Sequence, residues 1–338
     1  MSARPHSLTR RLTLALGLSL ALGAATGARS DQGVEFRYGH MNPPTSAAGI
    51  QANWLAEAIE KHSGGEIKTK VYPSSQLGKL QELAEAVSTG TIALSHNTAA
   101  GIGSLYEPFA ALDTPYLYRD VDHLMKVVDV NSPVMKKLNE GLVKAAGVRV
   151  LYGYYFGTRQ LTANKAVYQP SDLAGVKIRA IPFPIYTSAV EGLGAVPVPV
   201  DWSEVPTALA TGVVSGQENP VNVVLSSKLY EAQSHMMLTG HVMNAQLIVI
   251  NEKVWQGLSA QQKAAVTKAA EEVRLRATEM VRKSEDDELA KLKALKMTVI
   301  GTGEGLKLDA FKTSVQKLVH ERFDAKYGDL YKDIAAIQ

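Results

Sequence analysis

Cysteine is absent from the 338 residues, which excludes a disulfide framework, a thiolate metal site and a cysteine nucleophile. It also excludes a lipoprotein anchor, which needs a cysteine at its cleavage site. A cysteine-free chain avoids mispairing in an oxidising compartment, so the absence fits export without requiring it. Also missing are the G-x-S-x-G elbow, the H-E-x-x-H helix and the P-loop. Gly301-Thr-Gly-Glu-Gly305 is glycine-rich, but it follows Met297-Thr-Val-Ile without dinucleotide spacing and reads as a turn. The 8 histidines are scattered, with no two at metal-ligand spacing on a predicted helix. Neither a metal nor a cofactor is expected. Catalytic groups that converge from distant segments stay open.

Long hydrophobic runs are scarce too. The longest, Leu12 to Ala25, follows Arg4, Arg10 and Arg11 and leads into small residues through Ala28 and Ser30. It falls short of the roughly 20 apolar residues of a membrane span. A charged start, a short apolar stretch and a small-residue exit describe a secretory signal over residues 1–30, so a periplasmic location is expected. Arg10-Arg11 raises a twin-arginine signal, which Leu12-Thr13 matches poorly, and ordinary export is favoured. Those 30 residues hold four arginines and no acid, so removing them takes the formal charge from +3 to 3 − 4 = −1. Such a chain has no electrostatic footprint for nucleic acid or a membrane surface. The remainder, in a chain 46% hydrophobic and 20% charged, has room for two compact lobes.

What is present is an alternation of strand and helix patterns. Val34–Tyr38 reads as a strand, Ala47–Ser63 as a helix stopped by Gly64-Gly65, and Glu66–Val71 as a strand. A helix over Leu80–Ser88 and a strand over Ile92–Ser95 follow. The rhythm returns with strands at Val148–Tyr155, Val176–Ala180, Val196–Val200, Val213–Ser215 and Gln246–Ile250, and helices at Pro184–Gly192 and Ser203–Thr211. This predicts an α/β fold of two lobes with a largely parallel sheet. Ser259–Lys296 contains no glycine or proline and opens on a possible Ser259/Gln262 capping box. As one helix it would be roughly 55 Å long and could bridge two lobes across its charged waist, Arg282–Glu288. Two helices broken near Ser284 are the alternative.

The polar residues gather after Gly157. Arg159 ends a strand-loop region, Arg179 ends the strand Val176-Lys-Ile, and Trp202 and Glu218-Asn219-Pro220 follow further strands. Ligands of open α/β sheets sit beyond the carboxyl ends of strands. A guanidinium presents a planar fork to a carboxylate, an amide adds a directional donor, and an indole can wall an organic skeleton. Arg179 could instead pair internally with Glu204 or Glu218, and Trp202 could be core.

Four segments, in order, carry a resemblance over essentially the whole chain after residue 30. They are Tyr72-Pro-Ser-Ser-Gln-Leu-Gly78, Asp172-Leu-Ala-Gly-Val-Lys-Ile-Arg179, the run from Ser203 through Glu218-Asn219-Pro220, and Thr239-Gly-His241. The chain resembles the solute-binding proteins of tripartite ATP-independent periplasmic (TRAP) transporters, the C4-dicarboxylate-binding-like family. That resemblance implies a periplasmic binding protein fold of two lobes with hinge strands and a long bridging helix. Lobe I would be 31–156 plus 245–284, and lobe II 157–244 plus 285–338. It implies a non-catalytic, monomeric protein that captures a small carboxylate and passes it to TRAP membrane permease subunits. Arg179 would clamp the carboxylate, supported by Asn219. Arg159, Trp202, Glu218 and His241 would be further cleft residues, with His40, Asn42, Gln81 and Asn97 facing them from lobe I and Phe156 alongside. The family reads Val-Asp-Gly where this chain has Val214-Ser215-Gly216, which puts local hydrogen bonding in question.

Tyr154, Tyr155, Phe156, Phe183 and Trp202 tilt the expected ligand toward an aromatic or other monocarboxylate. A C4-dicarboxylate, with Arg159 taking the second carboxylate, and a sugar acid are the alternatives. An importer driven by ATP and a periplasmic enzyme acting on an organic acid are rival functions.

Overall fold

The computed structural model describes residues 33–338. The expected secretory signal over residues 1–30 lies outside the described residues. Nine strands form one sheet: β1 (Val34–Gly39), β2 (Ile67–Tyr72), β3 (Leu94–Asn97), β4 (Val148–Ala163), β5 (Lys177–Ala180), β6 (Val196–Pro199), β7 (Gly216–Pro220), β8 (His235–Asn251) and β9 (Thr298–Ile300). Their order is β2-β1-β3-β8-β4-β7-β5-β6, with β9 beside β8. The long antiparallel pair β4 and β8 runs through the middle. To one side β1, β2 and β3 pair in parallel, and to the other β5 pairs in parallel with β6 and β7.

The sheet is mixed where a largely parallel one was expected, because β3, β4, β7 and β8 meet antiparallel. Two boundaries also move. β4 continues eight residues past Tyr155, and β8 begins at His235, well before Gln246. Val213–Ser215 is a turn, and the strand lies at Gly216–Pro220, so Glu218 and Asn219 sit within a strand rather than after one. β4 is irregular between Tyr155 and Gly157, where Gly157 adopts φ +125°. A Cβ there would lie 2.7 Å from the Pro220 side chain.

The outer strands are guarded. β2 carries Lys68 and Lys70. β6 turns the N–H groups of Val196 and Val200 inward to Val176 and Ala180, and Pro197 and Pro199, at the positions facing outward, have no N–H.

Helix Ala260–Ala294 is continuous through Ser284. Its capping box forms: Gln262 N donates to Ser259 Oγ at 3.1 Å and Ser259 N to Gln262 Oε1 at 3.0 Å. Val266, Ala269, Val273 and Ala277 pack with Phe36, Leu55 and Ile248, while Leu292 packs with Val205 and Leu209 near the other end of the sheet. It bridges the halves as periodicity predicts, although Leu295 is exposed. The waist is not simply solvated. Glu285 Oε1 accepts from Tyr155 Oη at 2.7 Å and from Thr158 N at 3.3 Å, one on either side of Gly157. No helix of the described residues is long and apolar enough to cross a membrane.

Candidate functional site

A pocket with ≈ 470 Å³ of empty space, its open mouth included, is lined by residues from both halves of the strand order. Its apolar wall is Met41, Leu80, Phe156, Ile181, Pro182, Trp202 and Val223, and its polar groups are Asn42, Thr98, Arg159, Arg179, Asp201, Asn219 and Gln246. The residues come from both ends of the strand order, since Asn42 follows β1 whereas Arg179 is on β5 and Asn219 on β7.

Arg179 is 2% exposed, and its Nε donates to the Val200 carbonyl at 2.8 Å. Among the described residues no carboxylate lies within 4.0 Å of its nitrogens. The two acids that the sequence offered as partners are engaged elsewhere. Glu204 accepts from Lys79 Nζ at 2.9 Å, and Glu218 binds Arg159. Burial pulls the Arg179 guanidinium down to about 10, which leaves it charged at neutral pH. Its Cζ stands 6.0 Å from the centre of the Trp202 ring, within cation–π range. A buried charge without a counter-ion is costly and calls for an anion.

Arg159 behaves differently. Its Nε and Nη2 donate to Glu218 Oε2 and Oε1 at 2.5 and 2.8 Å, and Nη1 donates to Asn244 Oδ1 at 3.3 Å. Burial opposes the charge on Glu218, but Arg159 and the bond to His241 overcome it and hold the carboxyl down to about 2. His241 Nε2 lies 3.1 Å from Glu218, and its Nδ1 lies 2.8 Å from Thr239 Oγ1. Asn244 continues the chain to Asp113 Oδ1 at 3.0 Å. Arg159 therefore lines the pocket with its Nε and Nη2 already taken by Glu218. A second carboxylate would have to compete with that internal partner.

The structure brings Arg179, Asn219, Arg159, Trp202, Phe156 and Asn42 to one pocket. Asn219 Nδ2 donates to Gln217 Oε1 at 2.6 Å, and Gln217 in turn donates to Thr162 Oγ1 at 2.9 Å, which fixes the amide. Glu218 and His241 stand behind Arg159, fully buried and off the pocket surface. Asn97 is behind the wall, where its Nδ2 donates to the Leu80 carbonyl at 2.8 Å and seats a lining residue. His40 is buried and stacked on His96 at 4.9 Å, and His96 Nε2 meets Asn42 Oδ1 at 3.0 Å. Burial lowers His40 to about 4, so the ring is neutral. Gln81 is placed elsewhere: it is exposed on its helix and donates to Glu85 at 3.0 Å, because its position faces away from the buried Leu80, Leu83 and Ala84.

Of the five aromatics, only Phe156 and Trp202 reach the pocket, while Tyr154, Tyr155 and Phe183 pack in apolar clusters. Ser215, which replaces the family's aspartate, is exposed, and its backbone makes the local bonds, receiving Asn164 N and donating to Lys177 O. Sequence reasoning passed over Thr98, Asp201 and Gln246. A polar Gln246 heading an otherwise apolar strand was the available signal, and Gln246 Oε1 is buried without a hydrogen-bond partner.

Residues 38–326 match the family model described as bacterial extracellular solute-binding protein, family 7. The 2,3-diketo-L-gulonate-binding periplasmic protein YiaO of Escherichia coli K12 is 30% identical, over 97% of this chain and 99% of its own. A TRAP periplasmic solute-binding protein from Polaromonas sp. JS666 bound to D-erythronate superposes with TM-score 0.83 at 30% identity, covering 90% of this chain and 98% of its own. One from Roseobacter denitrificans OCh 114 with bound L-galactonate gives TM-score 0.84 at 25% identity, covering 90% and 99%.

Proposed function

This chain belongs to the family 7 bacterial extracellular solute-binding proteins, the DctP-like binding proteins of TRAP transporters, and on that premise we propose that it captures a sugar acid through Arg179 in the periplasm. The observation that carries the reading is a buried guanidinium that lines the pocket and, among the described residues, has no carboxylate within 4.0 Å. A ligand carboxylate supplies the missing charge, with Asn219 beside it. The pocket also offers Asn42, Thr98 and the unpartnered Gln246 Oε1. These groups suit hydroxyls, whereas an aromatic skeleton would leave Gln246 Oε1 unpaired. Relatives bound to D-erythronate and L-galactonate support the same class. A dicarboxylate is disfavoured because Glu218 occupies Arg159.

In this reading the carboxylate meets Arg179 and Asn219 on lobe II, and closure adds the contacts from lobe I. Ligand shifts that equilibrium by its preference for the closed form. The closed protein then delivers its cargo to the membrane permease. The proposed lobe limits at 156/157 and 284/285 coincide with the irregularity of β4 at Gly157 and with the Glu285 contact beside it.

The test is a thermal-shift screen over aldonates including D-erythronate and L-galactonate, with aromatic acids and C4-dicarboxylates as comparators. Ligand at 100 times Kd stabilises by about 2.7 kcal/mol. Calorimetry on the best acid follows, with Arg179→Met expected to lose about 2–5 kcal/mol of binding. Unchanged affinity in that variant, or preference for an aromatic acid, overturns the proposal.

A further inference from the structure

The pocket of an anion binder contains an acid of its own. Asp201 lines it, next in sequence to Val200, whose carbonyl holds Arg179, and to Trp202, which forms the wall. Left to itself, Asp201 would repel an incoming carboxylate and offer Arg179 an internal partner. It does neither. Lys79 Nζ lies 2.8 Å from Asp201 Oδ2 and 2.9 Å from Glu204 Oε1.

Lys79 comes from the other side of the molecule. It precedes helix Leu80–Thr89 between β2 and β3, whereas Asp201 and Glu204 follow β6 at the far end of the sheet. Its backbone is fixed, because Lys79 N donates to Glu82 Oε2 at 2.9 Å. The next residue, Leu80, lines the pocket and is held by Asn97. The ammonium thus ties the segment that carries Leu80 to the segment that carries Asp201 and Trp202. The pair stays accessible, with side-chain exposures of 40% for Lys79 and 32% for Asp201.

We propose that Lys79 is a positioning residue for ligand capture: it neutralises Asp201 so that Arg179 remains the open cation, and it fastens the Val200–Glu204 wall across the closed cleft. The inference rests on the carboxylate reading of the site. It makes Lys79 a determinant of affinity although it does not line the pocket.

The test measures binding of D-erythronate, or of the aldonate with the largest thermal shift, to wild type, Lys79→Met, Lys79→Arg and Lys79→Met/Asp201→Asn. Lys79→Met is expected to bind about three- to tenfold more weakly, as suits a partly exposed double ion pair. Lys79→Arg restores binding, and the double variant recovers part of the loss because the repelling charge is gone. The deficit of Lys79→Met also shrinks in 0.5 M salt, on the order of a 4 Å Debye length, because salt screens the repulsion of ligand by Asp201. A purely structural lesion would persist in salt and in the double variant. Wild-type affinity in Lys79→Met, or a deficit indifferent to both salt and Asp201→Asn, overturns the inference. The carboxylate reading is judged on wild type and Arg179→Met with the same acid, so the two fail separately.

Discussion

A guanidinium and a carboxylate enclosed by apolar side chains tolerate burial only together, since removing either one strands the other. Arg159 and Glu218 are such a pair, braced by His241, Thr239, Asn244 and Asp113. Glu218→Gln is therefore expected to cost about 3–5 kcal/mol of stability at pH 7, read from denaturant unfolding. The acid limb should change as well. The folded carboxyl sits at about 2, below its ordinary 4.5. Its contribution is complete above about 4.5 and is lost as pH falls toward 2. The glutamine variant should lose less stability across that window than wild type. Spacing could not reveal this pair, because 59 residues separate its members. From the sequence, Glu218 was equally a partner for Arg179, and only the sheet register that sets Leu161 against Glu218 decides between the arginines.

Strands that carry buried polar groups escape a hydropathy reading. The strand expectation stops at Tyr155 and places Glu218-Asn219-Pro220 after a strand, because Thr158, Arg159, Gln160, Gln217, Glu218 and Asn219 break the apolar alternation. In the fold these polar groups find protein partners, as Arg159 does in Glu218 and Asn219 in Gln217. The apolar strands and the long helix were legible for the opposite reason, since their periodicity faces apolar clusters. The C-terminal helix Leu308–Ala335, whose buried Phe311, Val315, Val319 and Phe323 face the core, was not picked out at all. The pairing irregularity of β4 at Gly157 supplies the test at this scale. Gly157→Ala places a Cβ at φ +125° against Pro220. The expected cost is about 1–3 kcal/mol from backbone strain alone, visible as a lower Tm.

The proposed closure would engage both halves of the sheet, because β4, β8 and the long helix all run between them. A compact protein of this length has a radius of gyration of about 20 Å. Small-angle scattering should show wild type contracting toward that value when the bound aldonate is added, while Arg179→Met stays unchanged. Contraction in both would separate closure from the carboxylate clamp. Because the strands and the helix are continuous, the motion must be absorbed at a few residues, with Gly157 and its neighbours held by Glu285 as the natural place.

The proline-blocked strand β6 and the lysine-bearing strand β2 bear on something other than the ligand. A sheet that flexes repeatedly brings its margins into the open, and a bare margin is a template on which a second chain can extend the ladder. Here one margin withholds the donors at its outward positions and the other presents like charges to its own copy. If the lobes open and close as proposed, these two margins would keep the moving sheet from becoming the seed of a fibre.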